Sequence, residues 1–165
     1  MIEHARGRYR LGVARGLVVD IQAFRSAGRR VRLGTTEEVR RAARAEALAW
    51  WRGDFCADEQ FGGWADDQRD QLRAEYLALL LEHAEDLLSA QQVPEALATF
   101  QRALQEDSFW DAALRGVVRS LLALGQRGEA QLRVQRYRER HMAELGGDVA
   151  DETKRFLASV LGLER

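Results

Sequence analysis

The sequence is poor in the residues that interrupt or cross-link a chain. Pro94 is its only proline, so backbone chemistry permits long helices on either side of it. Cys56 is its only cysteine, which excludes an intramolecular disulfide and any site built from several thiolates. Lysine is almost missing: Lys154 stands alone among 25 basic residues, the others being arginine. His4, His83 and His141 are too dispersed to suggest a ligand cluster. The longest apolar runs, such as Tyr76 to Leu81, fall far short of the roughly 20 residues that span a bilayer. No charged-then-apolar leader with a small-residue cleavage site follows Met1, so a cytoplasmic protein without membrane contact is expected. There is no glycine-rich phosphate loop, no His-x3-His pair, and no serine or cysteine in a nucleophile motif. No catalytic, cofactor-binding or metal-binding residue is therefore assigned, and the chain is not expected to be an enzyme.

What is present is an even mixture: 46% hydrophobic and 31% charged residues, which is too apolar for a disordered chain. The net charge of −1 hides an asymmetry, since residues 1–44 carry +7 and the remainder −8. A basic end beside an acidic body points either to an anionic partner near the N-terminus or to a solvated arginine-rich surface.

Most of the 14 glycines fall before Trp64, so the N-terminal third is the more broken part. Residues 8–13 alternate polar and apolar, a strand signal. Asp20 is suited to cap a short helix through Phe24. Thr36 starts another helix, with Thr35 and Glu38 at capping-box spacing. Val39, Ala43, Ala47 and Trp50 form its apolar stripe, and Gly53 ends it. After a loop over 54–65, spacings of three and four from Leu72 through Tyr76, Leu79, Leu80, His83 and Leu87 predict a helix from Asp66 to Ser89. Pro94 suits the first position of the next helix, which runs to Asp107. Helices are also expected near 109–124, 127–144 and 150–161, with Gly125 and Gly146 as left-handed terminators.

A shift of 34 residues lays Leu80 on Leu114, Ala84 on Val118, Leu87 on Leu121, Ala96 on Ala130 and Phe100 on Val134. A helix–turn–helix unit of that period is the tetratricopeptide signature. Small residues at 84, 96 and 130 let helices cross closely, and the larger ones fill the volume beside them. Two features depart from the pattern. Ser108 stands where proline is usual, and Tyr137 replaces the small residue seen as Ala103. A large ring there is expected to open the second hairpin. Two copies cannot bury a continuous core, so the helices near 36–52 and 150–161 are expected to cap the stack. The fold class expected is all-α: a tetratricopeptide-like stack over residues 21–165, with a short β remnant within residues 1–20.

The order of these pieces resembles the bacterial transcriptional activator domain of Streptomyces antibiotic regulatory proteins and their relatives. Tyr9-Arg10-Leu11 looks like the closing strand of the winged-helix domain that precedes it there, and Val19-Asp20 with Phe24 looks like the link after that domain. Ala47 to Asp54 resembles the family's helix end, and Trp64, Arg69 and Leu72 fit its spacing. Glu144-Leu145-Gly146 with Glu152-Thr153 resembles its close. Val149 and Ser108 depart from it, each standing where the family has proline. The resemblance implies a piece of a longer transcription regulator that lacks most of the winged-helix domain, so that DNA is met only through that missing part. It also implies a protein partner: RNA polymerase, another domain of a longer chain, or a second protomer. The rival reading is a free-standing repeat adaptor unrelated to transcription.

Several residues invite a site and have a plainer role. His83 lies on an apolar stripe and reads as a packing histidine. Cys56 sits in an acidic loop that disfavours its thiolate. Asp54, Asp58, Glu59, Asp66, Asp67 and Asp70 match no calcium loop, and acids at a helix start suit the helix dipole. Trp50 and Trp64 are expected to pack; Trp51 faces another way, and Trp110 lies at a hairpin junction. The repeat register places Leu81, Glu85 and Leu88 of one unit beside Arg115, Arg119 and Leu122 of the next. That face is the candidate groove for a peptide or acidic helix, unless the last helix folds back over it.

Overall fold

Phe24, Ala27, Gly28 and Val31 recur at spacings of three and four and are buried along one face of helix α1, Asp20–Leu33. The structure is a computed structural model and describes residues 2–5, 7–11, 19–58 and 63–162. Gly12 and Val13 of the expected strand, and Glu59 of the acidic loop, lie outside the described residues. Strands β1, Ile2–Ala5, and β2, Arg8–Leu11, pair antiparallel with Ile2 opposite Leu11.

The chain divides into two compact units, Met1–Arg52 and Gly53–Arg165. In the first, α1 pairs with α2, Glu37–Trp50. The short helix expected to end near Phe24 therefore continues to Leu33, because its arginines occupy the solvent side of a stripe that stays apolar. Thr36, not Thr35, is the N-cap of α2; its hydroxyl accepts from the amide of Val39 at 3.3 Å. Arg40 closes the turn by donating to the carbonyl of Gly34 at 3.0 Å and to Glu37. Val39 is half exposed, so the buried stripe of α2 is Ala43, Arg44, Ala47 and Leu48. The helix ends at Trp50, before Gly53, and Trp51 turns its ring onto Phe24, 5.5 Å between centroids.

The second unit holds α3 (Asp66–Ser89), α4 (Val93–Glu106), α5 (Asp111–Ala123), α6 (Arg127–Leu145) and α7 (Asp151–Leu161). Pro94 is the second residue of α4, after Val93, where its missing amide hydrogen still costs no intrahelical bond. α3 with α4, and α5 with α6, form two antiparallel hairpins, and α7 folds onto α5. The core joins Ala84, Ala96 and Phe100 to Leu114, Val118, Leu121, Ala130 and Val134, so the pairs 84/118, 96/130 and 100/134 of the repeat are buried together, with Leu87 packed against them. α7 adds Leu157 and Leu161, with Val149 ahead of it.

The period also governs the backbone at the hairpin turns. The amides of Gln91 and Gln92 donate to the carbonyls of Leu88 and Leu87 at 3.1 and 2.9 Å. Those of Gly125 and Gln126, 34 residues later, donate to Leu122 and Leu121 at 3.0 and 2.8 Å. Both turns need a left-handed residue, and Gly125 supplies it at φ 74° where Gln91 must adopt φ 60°. A side chain in that region costs about 1 kcal/mol or more, part of which glycine returns through its freer unfolded chain. Gln91→Gly is therefore expected to stabilise the fold by a few tenths to about 1 kcal/mol in a denaturant titration. A lower midpoint would mean that the Gln91 side chain holds something the turn geometry does not reveal.

Candidate functional site

The first helices of successive units, α3, α5 and α7, lie side by side, and the residues named for the groove sit on them. Leu81, Leu88 and Leu122 are partly buried against the core rather than standing free. Glu85 of α3 forms an ion pair with Arg119 of α5, residues 34 apart and thus at one position of the repeat. Both side chains remain about two-fifths exposed, at 42% and 39%, so solvent screens the pair and its worth is at most about 1 kcal/mol. The Arg119 guanidinium also lies 5.8 Å from the centroid of the Phe100 ring. Arg115 turns the other way. It donates to the buried hydroxyl of Thr153 at 2.7 Å and reaches Glu152 at 3.2 Å, which ties α7 to α5. The two arginines, one helical turn apart, are thus separated by their acids: one binds the preceding unit, the other the next helix along.

The opposite end of α5 carries a polar junction. Asp111 accepts from the Tyr137 hydroxyl at 2.8 Å with one carboxylate oxygen and from the Ala150 amide at 2.9 Å with the other. One side chain thereby joins the start of α5, the middle of α6 and the start of α7. Burial, and then the hydrogen bond to Asp111, push the Tyr137 hydroxyl well above the ordinary phenol range, so it serves as a permanent donor. Tyr137 fills the place that Ala103 holds in the first hairpin, and α5 and α6 pack less closely than α3 and α4. Beside it, Arg138 grips Asp148 with two nitrogens at 2.9 and 2.6 Å. That hydrogen bonding holds the Asp148 carboxyl below its usual range. The pair's contribution is complete above the ordinary carboxylate pKa and is lost as pH falls through Asp148's lower one.

The acidic loop is held by arginines of α3. Arg69 donates to the carbonyls of Phe55 and Cys56 at 2.9 Å each and to Asp66 at 2.7 Å. Arg73 bridges Asp54 and the main-chain carbonyl of Glu106, both at 2.8 Å. Asp54 and Asp66 are thus committed to guanidinium partners, and no group of three or more potential metal ligands occurs among the described residues. His83 is half-buried on α3. Trp64 corrects the expectation that it packs: it is 75% exposed, its ring meeting Phe55 edge-on at 6.0 Å. Trp50 and Trp110 are of intermediate burial.

Sequence reasoning passes over the second helices. Between α4 and α6 runs a cleft of about 460 Å³, lined on the α6 side by Arg133, Arg136 and Arg140. Their spacing of three and four is visible in the sequence as a helical stripe. What hides it is the choice of the first helices as the binding face.

No helix among the described residues is long and apolar enough to cross a membrane. Residues 19–161 match the family described as Bacterial transcriptional activator domain. No curated protein matches the chain.

Proposed function

The chain belongs to the bacterial transcriptional activator domain family, and from that premise we propose that it supplies the protein contact made by a DNA-bound regulator. The family is regulatory and not one of enzymes. Residues 1–20 are read as the closing β segment of a winged-helix domain and its link, and residues 21–165 as the contact module. RNA polymerase is the first partner to consider, because activation ends there. Another domain of a longer chain or a second protomer would use the same surface.

The observation that carries the reading is the row of α3, α5 and α7. It presents Glu85 and Arg119 with their charged ends in solvent over the partly buried Leu81, Leu88 and Leu122. Apolar side chains beside a fixed pair of opposite charges give a partner helix both area and register. Arg115 contributes by holding α7 in the row.

Tethering tests the proposal. The chain is fused to an unrelated DNA-binding domain, and transcription is measured from a bacterial promoter carrying that domain's site. Activation several-fold above the DNA-binding domain alone is expected. A fusion that binds its site and gives no activation would favour the adaptor reading.

A further inference from the structure

We propose that the cleft between α4 and α6 docks an acidic amphipathic helix of a protein partner, on a surface separate from the row of first helices. The reading of the chain as a protein-contact module supplies its biological setting; the binding itself stands on the cleft alone.

The cleft is a trough between two helical stripes. On the α4 side Gln101, Leu104, Gln105 and Ser108 succeed one another at spacings of three, one and three. On the α6 side the arginines stand at 133, 136 and 140, flanking Tyr137. Buried Leu114 and Val117 of α5 form the floor. No carboxylate is among its lining residues. Arg133 has Glu129 at 3.5 Å along its own helix, whereas Arg136 and Arg140 hold no ion pair among the described residues. All three arginines are exposed.

Charge and shape together select the occupant. Positions 133 to 140 span about 10 Å along the helix axis, two turns, which matches carboxylates repeated at helical spacing on a facing helix. A single phosphate or nucleotide needs its donors to converge on one point, and these guanidiniums are strung in a line. Leu104, with the small part of Tyr137 left exposed, offers a narrow apolar strip between the arginines and the glutamines, which suits a leucine-sized side chain and which a nucleic acid backbone would leave unused. Guanidinium forks at the rim would pair with carboxylates in two-point fashion.

The test uses the whole chain and a fluorescein-labelled helical peptide patterned from Glu, Leu and Ala, monitored by fluorescence anisotropy. R136Q/R140Q removes the two unpaired charges and keeps residues that favour a helix. Its thermal melt should match the parent's, and peptide affinity should fall about tenfold or more. The control R25Q/R29Q, on α1, should bind as the parent does. A Lys-for-Glu peptide should not bind. The proposal is overturned if R136Q/R140Q binds the Glu/Leu peptide unchanged. It is equally overturned if duplex DNA or pyrophosphate displaces the peptide and loses affinity in the same variant, which would make the cleft a phosphate site. A dimer that dissociates on making R136Q/R140Q, seen by sedimentation, would assign the cleft to a second copy instead. Loss of tethered activation with peptide binding intact would count against the proposed function and leave the cleft standing.

Discussion

Gly116→Ala should destabilise the fold by about 2 kcal/mol, although glycine-to-alanine changes inside helices usually stabilise. The reason is local and steric. A methyl group built on Gly116 would fall inside the van der Waals surface of the Phe100 ring, which is fully buried beneath α5. The ring has no free volume to retreat into, since Ala96, Leu114 and Val117 belong to the same core. Gly116 therefore sets how closely α4 and α5 approach, and with it the fit of one hairpin on the next. The gain of about 1 kcal/mol in helix propensity is outweighed by the overlap. Gly128, on α6, is the internal control: nothing lies within 4 Å of an added methyl, so Gly128→Ala should raise the melting temperature. Pairing Gly116→Ala with Phe100→Leu should recover stability relative to the sum of the single changes. Additive losses would place the clash elsewhere.

Asp111→Ala should cost about 2–3 kcal/mol, more than an aspartate of intermediate burial would suggest. The carboxylate serves two donors, and one of them, the Tyr137 hydroxyl, belongs to a residue only 8% exposed. Removing the acceptor leaves that hydroxyl unsatisfied in the interior and takes away one of the bonds that hold the start of α7 to α5. The unpaired hydroxyl is the larger part, so adding Tyr137→Phe to Asp111→Ala should restore some of the loss. Equilibrium denaturation of the two singles and the double decides it. If the double is no better than Asp111→Ala, the junction works through Ala150 and not through the tyrosine.

The repeat is legible in the sequence because it is written in side-chain size at fixed intervals, and size is what buries Ala96 with Ala130 and Phe100 with Val134. The left-handed terminators are legible for the same kind of reason: Gly125 and Gly146 are glycines where a left-handed residue is needed. Gln91, which performs the same turn without glycine, carries no such mark. α1 runs past its expected end at Phe24 because Ala27, Gly28 and Val31 continue the buried face beyond it. Gly116 reads only as a propensity cost, since its purpose lies in Phe100, 16 residues away in the chain. The Asp111 junction joins three helices and has no local pattern at all. For the candidate groove, the pairing of Glu85 with Arg119 comes from the repeat. The anchoring of Arg115 on α7 does not, because α6 is longer than α4 and shifts α7 out of the 34-residue register.

Whether the row of α3, α5 and α7 meets a partner through the charges it leaves in solvent is tested most directly by activation from a tethered chain carrying the exchange E85R/R119E. The exchange keeps an internal ion pair and gives up the contact of Arg119 with the Phe100 ring, so the thermal melt should stay within about 1 kcal/mol of the parent. It reverses the two charges offered to a partner, so activation should fall several-fold. Full activation from the exchanged chain, folded and bound to its site, would contradict the claim and remove this face from the function.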